Sequence, residues 1–259
     1  MTLQGSEGNY RLKPLKWYRK LATDKGRAEA GAFAVEGPRA VAQIMAGHPG
    51  AIVEIVALEG SAPSYRDYPV RFVTESQFRS VSPATNPQGP MAIVRVPPDI
   101  YSDSLPDVTG HRILLLEDVQ DPGNVGTLVR TAAAFGYSGV VLTDRCADPL
   151  SPKCVQSSAG TLLNVWIRRT MRHLDLIQAL RVRGFLLVAT ALDGEDDASV
   201  LRRPEGLVLA LGSEASGLSK KVLQMADCRF RIPIDRDRAE SLNVAASGAI
   251  CMYLSSLIR

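Results

Sequence analysis

From about residue 111 onward, short apolar runs alternate with segments of helical periodicity. Residues 113–116 (Ile-Leu-Leu-Leu), 139–142, 165–167, 185–191, 207–211 and 230–232 are runs of this kind. Such runs suit strands buried on both faces, as in a parallel sheet. Residues 125–135, 174–183 and 220–225 carry helical spacing between them, and a small-residue helix after Val244 ends the chain. Strand–helix–strand repetition predicts an α/β fold, a mostly parallel sheet with helices on both faces. Before residue 97 the pattern is shorter-ranged. Residues 12–22 read as a basic amphipathic helix, 33–36, 52–58, 70–73 and 91–96 as strands, and 38–45 as a helix with proline in its first turn. That is a small α/β sandwich. Val96-Pro97-Pro98 closes it, and the polar stretch that follows reads as a linker. The predicted organisation is therefore a domain over 1–96, a linker over 97–110 and a larger domain over 111–259.

Charge adds a partner to this picture. The 259 residues carry a net charge of +3, but residues 1–30 hold seven Lys/Arg against three acids. Arg11, Lys13, Lys16, Arg19, Lys20, Lys25 and Arg27 lie among Tyr10, Trp17 and Tyr18, a combination that fits a polyanion and, equally, a solvated basic helix. Cys146, Cys154, Cys228 and Cys251 show no CxxC spacing and do not cluster with the three histidines, so neither a metal site nor a disulfide framework is expected. The sequence shows no signal-peptide pattern and no apolar run of membrane-spanning length. A cytoplasmic, reduced protein with no membrane association is expected.

Ligands of parallel sheets bind beyond the carboxyl ends of the strands, which directs attention to three loops. The first is Glu117-Asp118-Val119-Gln120-Asp121-Pro122-Gly123-Asn124-Val125-Gly126, opening a helix that bears Arg130. Six residues separate Asn124 from Arg130, within the first two turns, so both are expected at the same mouth. The second loop is Gly212-Ser213-Glu214-Ala215-Ser216-Gly217-Leu218-Ser219. The third follows Ile232-Pro233-Ile234 and contains Ser241-Leu242-Asn243-Val244, where Ser241 has the chemistry of an N-cap. No GxGxxG, GxxxxGK[ST] or GxSxG stands after a strand, which disfavours dinucleotide, P-loop and serine-hydrolase sites. Each loop alone could be an ordinary turn or cap; the functional reading rests on all three belonging to one sheet.

Taken together, the three loops resemble the three motifs of the SpoU (TrmH-type) ribose 2′-O-methyltransferases of the SPOUT superfamily. They are Asp121–Gly126 through Arg130-Thr131-Ala132, Leu209–Glu214 with Gly217-Leu218-Ser219, and Ile232-Pro233-Ile234 with Ser241–Val244. The first region, with Lys20-Leu21, Lys25, Arg27 and Phe33-Ala34-Val35-Glu36-Gly37, resembles the L30e-like substrate-binding domain that often precedes them.

The resemblance implies a C-terminal deep trefoil knot, S-adenosylmethionine as cofactor, and a homodimer with its active site near the subunit interface. It assigns Asn124, Arg130, Glu214, Ser241 and Asn243 to catalysis. In this assignment Arg130 acts on the ribose hydroxyl and Glu214 fixes its direction. It assigns Thr190, Ala191, Leu211, Gly212, Ile232, Ile234 and Leu242 to the cofactor, and the basic residues of 11–27 to RNA. The implied activity is methylation of a ribose 2′-hydroxyl in structured RNA, with 23S ribosomal RNA favoured over tRNA. A non-catalytic RNA-binding protein retaining the fold is the competing reading, and the complete polar set argues against it. The turn Asp235-Arg236-Asp237-Arg238-Ala239-Glu240 is longer than the family's usual one and lacks its glycine, so its contacts are left open between cofactor and RNA.

Overall fold

The structure, a computed structural model, describes residues 13–61, 65, 67–84, 86, 87, 89–202 and 205–257. It divides into two compact units, Met1–Val96 and Pro97–Arg259. Arg11 lies outside the described residues.

In the first unit the order is α1 (Leu15–Lys20), α2 (Asp24–Ala30), β1 (Ala32–Glu36), α3 (Pro38–Gly47), β2 (Ile52–Leu58), β3 (Val70–Val73), α4 (Glu75–Val81) and β4 (Met91–Arg95). The sheet order is β1-β4-β2-β3, with β4 antiparallel to both neighbours and β3 parallel to β2. The basic helix expected over 12–22 is the shorter α1, and a second helix, α2, follows it. Thr23 accepts the Gly26 N–H at 3.1 Å and so starts α2, because a β-region residue with a side-chain acceptor stabilises a new first turn better than it continues an old one. Tyr18 and Leu21 face the core with Val56, Phe78 and Ile93. The Tyr18 hydroxyl donates to buried Glu54 at 2.6 Å. Helix α4, unpredicted, begins at a capping box in which Thr74 and Gln77 exchange side-chain and backbone bonds.

The second unit contains β5 (Arg112–Leu116), α5 (Pro122–Ala134), β6 (Gly139–Thr143), α6 (Pro152–Ser158), β7 (Trp166–Thr170), α7 (His173–Val182), β8 (Leu186–Glu195), β9 (Leu207–Leu211), α8 (Lys220–Met225), β10 (Cys228–Phe230) and α9 (Val244–Ser256). Its six strands form a parallel sheet in the order β10-β8-β9-β5-β6-β7. The core is built on the central strands, with Ile113, Leu115, Leu187, Val208 and Ala210 fully buried. Where its helices approach most closely the helical layer depends on glycine. A Cβ on Gly126 would lie 2.3 Å from the Cys154 carbonyl oxygen, so the backbones of α5 and α6 come into direct contact there. A Cβ on Gly248 would lie 2.3 Å from the Leu128 side chain, which fixes how closely α9 lies on α5.

Two sequence expectations change here. Residues 97–110 belong to the second unit rather than standing apart as a linker. Ile100 is buried, Asp99 pairs with the Arg168 guanidinium at 2.9 Å, and the Thr109 carbonyl accepts from the Trp166 indole at 3.0 Å. The last strand ends at Phe230, and a register shift after Arg229 sets Ile232 and Ile234 free of the sheet.

Candidate active site

Beyond the carboxyl side of β8, β9 and β10 lies a cavity of about 440 Å³. Thr190, Ala191, Leu211, Gly212, Ile232, Ile234 and Leu242 all line it. So do Leu218, which the second motif contains, and Leu192, Asp193 and Arg231, which the sequence does not single out although Leu192 follows Ala191 and Arg231 precedes Ile232. Close approach of two backbone segments shapes the second loop. A Cβ on Gly212 would sit 2.1 Å from the Gly217 carbonyl carbon, and the Gly217 N–H donates to Ser213 at 2.9 Å. The turn 235–240 has an internal partner. The Arg236 guanidinium donates to the Leu192 carbonyl at 2.7 Å, tying the third loop to the strand across the cavity.

Of the polar residues, Glu214 and Ser241 line this cavity, and Asn124 and Asn243 reach it through a chain of hydrogen bonds to Glu214 rather than as lining residues. Asp121 caps α5 by accepting the Asn124 N–H at 2.9 Å and also receives Lys153 at 2.9 Å. These bonds, the lysine's first, hold the Asp121 carboxyl below its ordinary value. The Asn124 side-chain amide donates to Glu214, and the Asn243 amide donates to the Asn124 carbonyl oxygen at 3.2 Å. Asn243 accepts the Ala245 N–H at 2.9 Å, so Asn243 rather than Ser241 is the N-cap of α9. One chain of side-chain bonds thus joins the three loops.

Arg130 stands apart. It is exposed, does not line the cavity, and has no hydrogen-bond or ion-pair partner among the described residues. Six residues turn an α-helix through about 600°, so Arg130 lies roughly 120° around α5 from Asn124, away from its face. Within one chain, Glu214 therefore binds Asn124, not Arg130 as the resemblance implied.

A buried carboxylate from the first loop, to which the sequence assigns no role, lies beneath the second loop. Glu117, at the end of β5, accepts the Ser219 N–H at 2.7 Å and faces His173 Nε2 at 3.6 Å. Burial alone would raise its pKa, but the contacts with His173 and Ser219 outweigh this and hold it below the ordinary glutamate value. A carboxyl depressed in the folded state stabilises it above the ordinary value, and that stabilisation is lost as pH falls through the folded value. Glu117→Gln is therefore expected to flatten the decline of the urea midpoint below about pH 4.5, as read by circular dichroism.

Of the basic set, Lys13, Lys16, Arg19, Lys20 and Lys25 are exposed. Arg19 donates to the Ser80 carbonyl, Lys25 faces Glu29 at 3.9 Å, and Lys13 lies 5.9 Å over the Trp17 ring. Arg27 does not belong with them. It is 3 % exposed, donating to the Leu21 carbonyl at 3.0 Å and pairing with Asp24. A guanidinium consumed in holding α1 to α2 has no donor directed outward.

Comparison with known proteins gives the family. Residues 111–253 match the model of the SpoU rRNA Methylase family, and residues 13–92 match the MRM3-like substrate binding domain. The chain is 31 % identical over 243 residues to the 23S rRNA (guanosine(2553)-2′-O)-methyltransferase RlmP of Bacillus subtilis, covering 92 % of this chain and 94 % of that protein. Among solved structures, a putative RNA methyltransferase of the TrmH family from Porphyromonas gingivalis superposes with a TM-score of 0.81 at 33 % identity, covering 95 % of this chain and 98 % of its own. An AdoMet-bound rRNA methyltransferase from Sinorhizobium meliloti gives 0.79 at 29 % identity, with 93 % of each chain covered. A parallel sheet with a cavity at its carboxyl side, three motif loops joined through Asn124, and a family match over 111–253 have one common account: the chain belongs to the SpoU rRNA methylase family.

Proposed function

We propose that this protein transfers the methyl group of S-adenosylmethionine to a ribose 2′-hydroxyl in structured RNA, with 23S ribosomal RNA as its substrate. The observation that carries the reading is the bonded set Glu214–Asn124–Asn243 at the edge of a largely apolar cavity. The cavity lies within the roughly 300–1,000 Å³ of small-molecule sites. Its donor set fits the cofactor: Leu211, Ile232, Ile234 and Leu242 offer apolar walls for a purine, and Asp193 and Glu214 are carboxylates suited to a cationic ligand.

Bound there, S-adenosylmethionine supplies an activated methyl carbon, so the chain's own task is mainly positioning. Asn124 is held at both ends of its amide, by Glu214 and Asn243, and is thereby oriented rigidly toward the rim. In our reading it fixes the target ribose, and Ser241 contacts cofactor or RNA. Arg130 grips the phosphate beside the target and polarises the 2′-hydroxyl. A guanidinium remains charged, so it lowers the cost of the developing oxyanion rather than removing the proton itself.

The working unit in this proposal is a homodimer. Ala246, Ile250 and Tyr253 are exposed along one face of α9, at spacings of four and three residues, and exposed Leu257 follows four residues later just past its end. Such a stripe is costly to leave in water. A second copy covering it would meet α5, since Tyr253 packs against Phe135, and so would approach Arg130. Ile250→Glu is expected to give monomers in light scattering and to lose most activity. We read the path of 228–257 as the trefoil knot of the family, the first unit as its L30e-like domain, and the protein as cytoplasmic.

RNA contact by the first unit is tested without deleting α1, because Tyr18 and Leu21 belong to the core. Lys13→Ala, Lys16→Ala and Lys20→Ala together are expected to lower the slope of log K against log salt by about 2 to 3. The choice of substrate is tested by incubating protein, tritiated cofactor and separated RNA fractions from a strain lacking the gene. Label confined to 23S RNA supports the proposal, and label confined to tRNA rejects that part of it.

A further inference from the structure

Glu117 has no part in the chemistry above, yet it is 6 % exposed and ionised at the foot of the second loop. Its contacts have an unusual distribution. The Glu117 backbone N–H donates to the Leu211 carbonyl at 2.9 Å, and its carboxylate accepts the Ser219 N–H at 2.7 Å. One residue therefore grips the segment 212–218 at both of its ends. That segment supplies Gly212, Ser213, Glu214 and Leu218 to the cavity. Inside the loop the bonds are short-range: Ser213 with Ser216, and Gly217 with Ser213. These fix the loop's shape but not its place relative to the sheet. Glu117 supplies that second constraint from the neighbouring strand β5. His173, from the start of α7, backs the carboxylate at 3.6 Å. Its Nδ1 is buried with no hydrogen-bond partner among the described residues, so the ring's polar contact is with Glu117.

We propose that Glu117 is a positioning residue that staples the loop 212–218 against the sheet and thereby sets the affinity of the cavity for S-adenosylmethionine. This rests on the reading that the cavity holds that cofactor. A charge-assisted bond from a backbone N–H to a buried carboxylate is among the stronger hydrogen bonds. Removing it frees one end of the loop while Asn124 still holds Glu214. Cofactor affinity is thus expected to suffer more than turnover at saturation.

The test compares wild type, Glu117→Ala and Glu117→Gln in the full-length protein. Glu117→Ala is expected to raise Kd and KM for S-adenosylmethionine about tenfold or more, with kcat at saturating cofactor within about threefold. Glu117→Gln keeps an acceptor oxygen for Ser219 and an amide for His173, so it is expected to restore affinity to within about threefold of wild type. Hydrogen exchange on the wild type provides a measurement independent of either variant's folding: the Ser219 amide is expected to be protected well beyond those of Ala215 and Ser216. Unchanged affinity in a folded Glu117→Ala, failure of glutamine to rescue, or a Ser219 amide exchanging as fast as Ala215 would each overturn the proposal. Wild-type protein that binds no S-adenosylmethionine would overturn the cofactor reading instead, and the Ser219 exchange rate then decides the anchor alone.

Discussion

Arg130→Ala is expected to reduce methyl transfer by about 10²–10³-fold or more while leaving S-adenosylmethionine affinity within about twofold. Three observations separate these two effects. Arg130 does not line the cavity, so its removal takes no contact from the cofactor. It is exposed and has no partner among the described residues, so truncation costs no packing and breaks no internal bond. Thermal stability should accordingly be unchanged. What remains for it is RNA: a permanently charged, unpaired guanidinium on the outer face of α5 is available to a phosphate and to charge developing on a ribose oxygen. Calorimetry for binding and a tritiated-methyl assay for turnover check both halves. Arg130→Lys retains the charge without the planar fork and should recover only a small part of the rate. Near-normal turnover in Arg130→Ala would remove this residue from the mechanism.

Gly212→Ala is expected to weaken cofactor binding by about a hundredfold or more without unfolding the sheet. The added Cβ would fall 2.1 Å from the Gly217 carbonyl carbon and 2.4 Å from its oxygen. Both are backbone atoms, so no rotamer change relieves the clash and the loop must open. Opening displaces Leu218 and Ser213 from the cavity wall and strains the grip of Glu117 on Ser219. The strand β9 before it is buried between β5 and β8 and has no reason to move. The expected result is a near-normal melting curve with a lost binding isotherm. An intact isotherm would mean that the second loop is not part of the cofactor wall.

The sequence disclosed those parts of the fold whose physics is local. Continuous apolar runs marked β5, β6 and β9 because strands buried on both faces need nothing else. Edge strand β7 was harder to delimit. Arg168 and Arg169 break its apolar pattern, and only the structure reveals that Arg168 is buried against Asp99, a residue from the stretch taken for a linker. The end of β10 was set two residues too late because Ile232 is as apolar as a strand residue should be, but its burial comes from the cavity wall and not from the sheet. Arg27 looked like its basic neighbours because sequence carries no sign that Leu21 and Asp24 would fold back to consume it. In the site, the motif residues were legible through their resemblance to a known family. Glu117 was not, since a Glu after a strand is an ordinary loop residue until Ser219, a hundred and two positions away, donates to it.

The acceptor atom is the centre of the whole account, and nucleoside analysis tests it most directly. Ribosomal RNA from a strain lacking the gene would be treated with the purified protein and S-adenosylmethionine, digested to nucleosides and resolved by mass spectrometry. The account predicts one new nucleoside carrying its added methyl on the ribose, absent when Arg130→Ala replaces the wild type. A methyl found on a base, or no new methylated nucleoside with the wild-type protein, would contradict it.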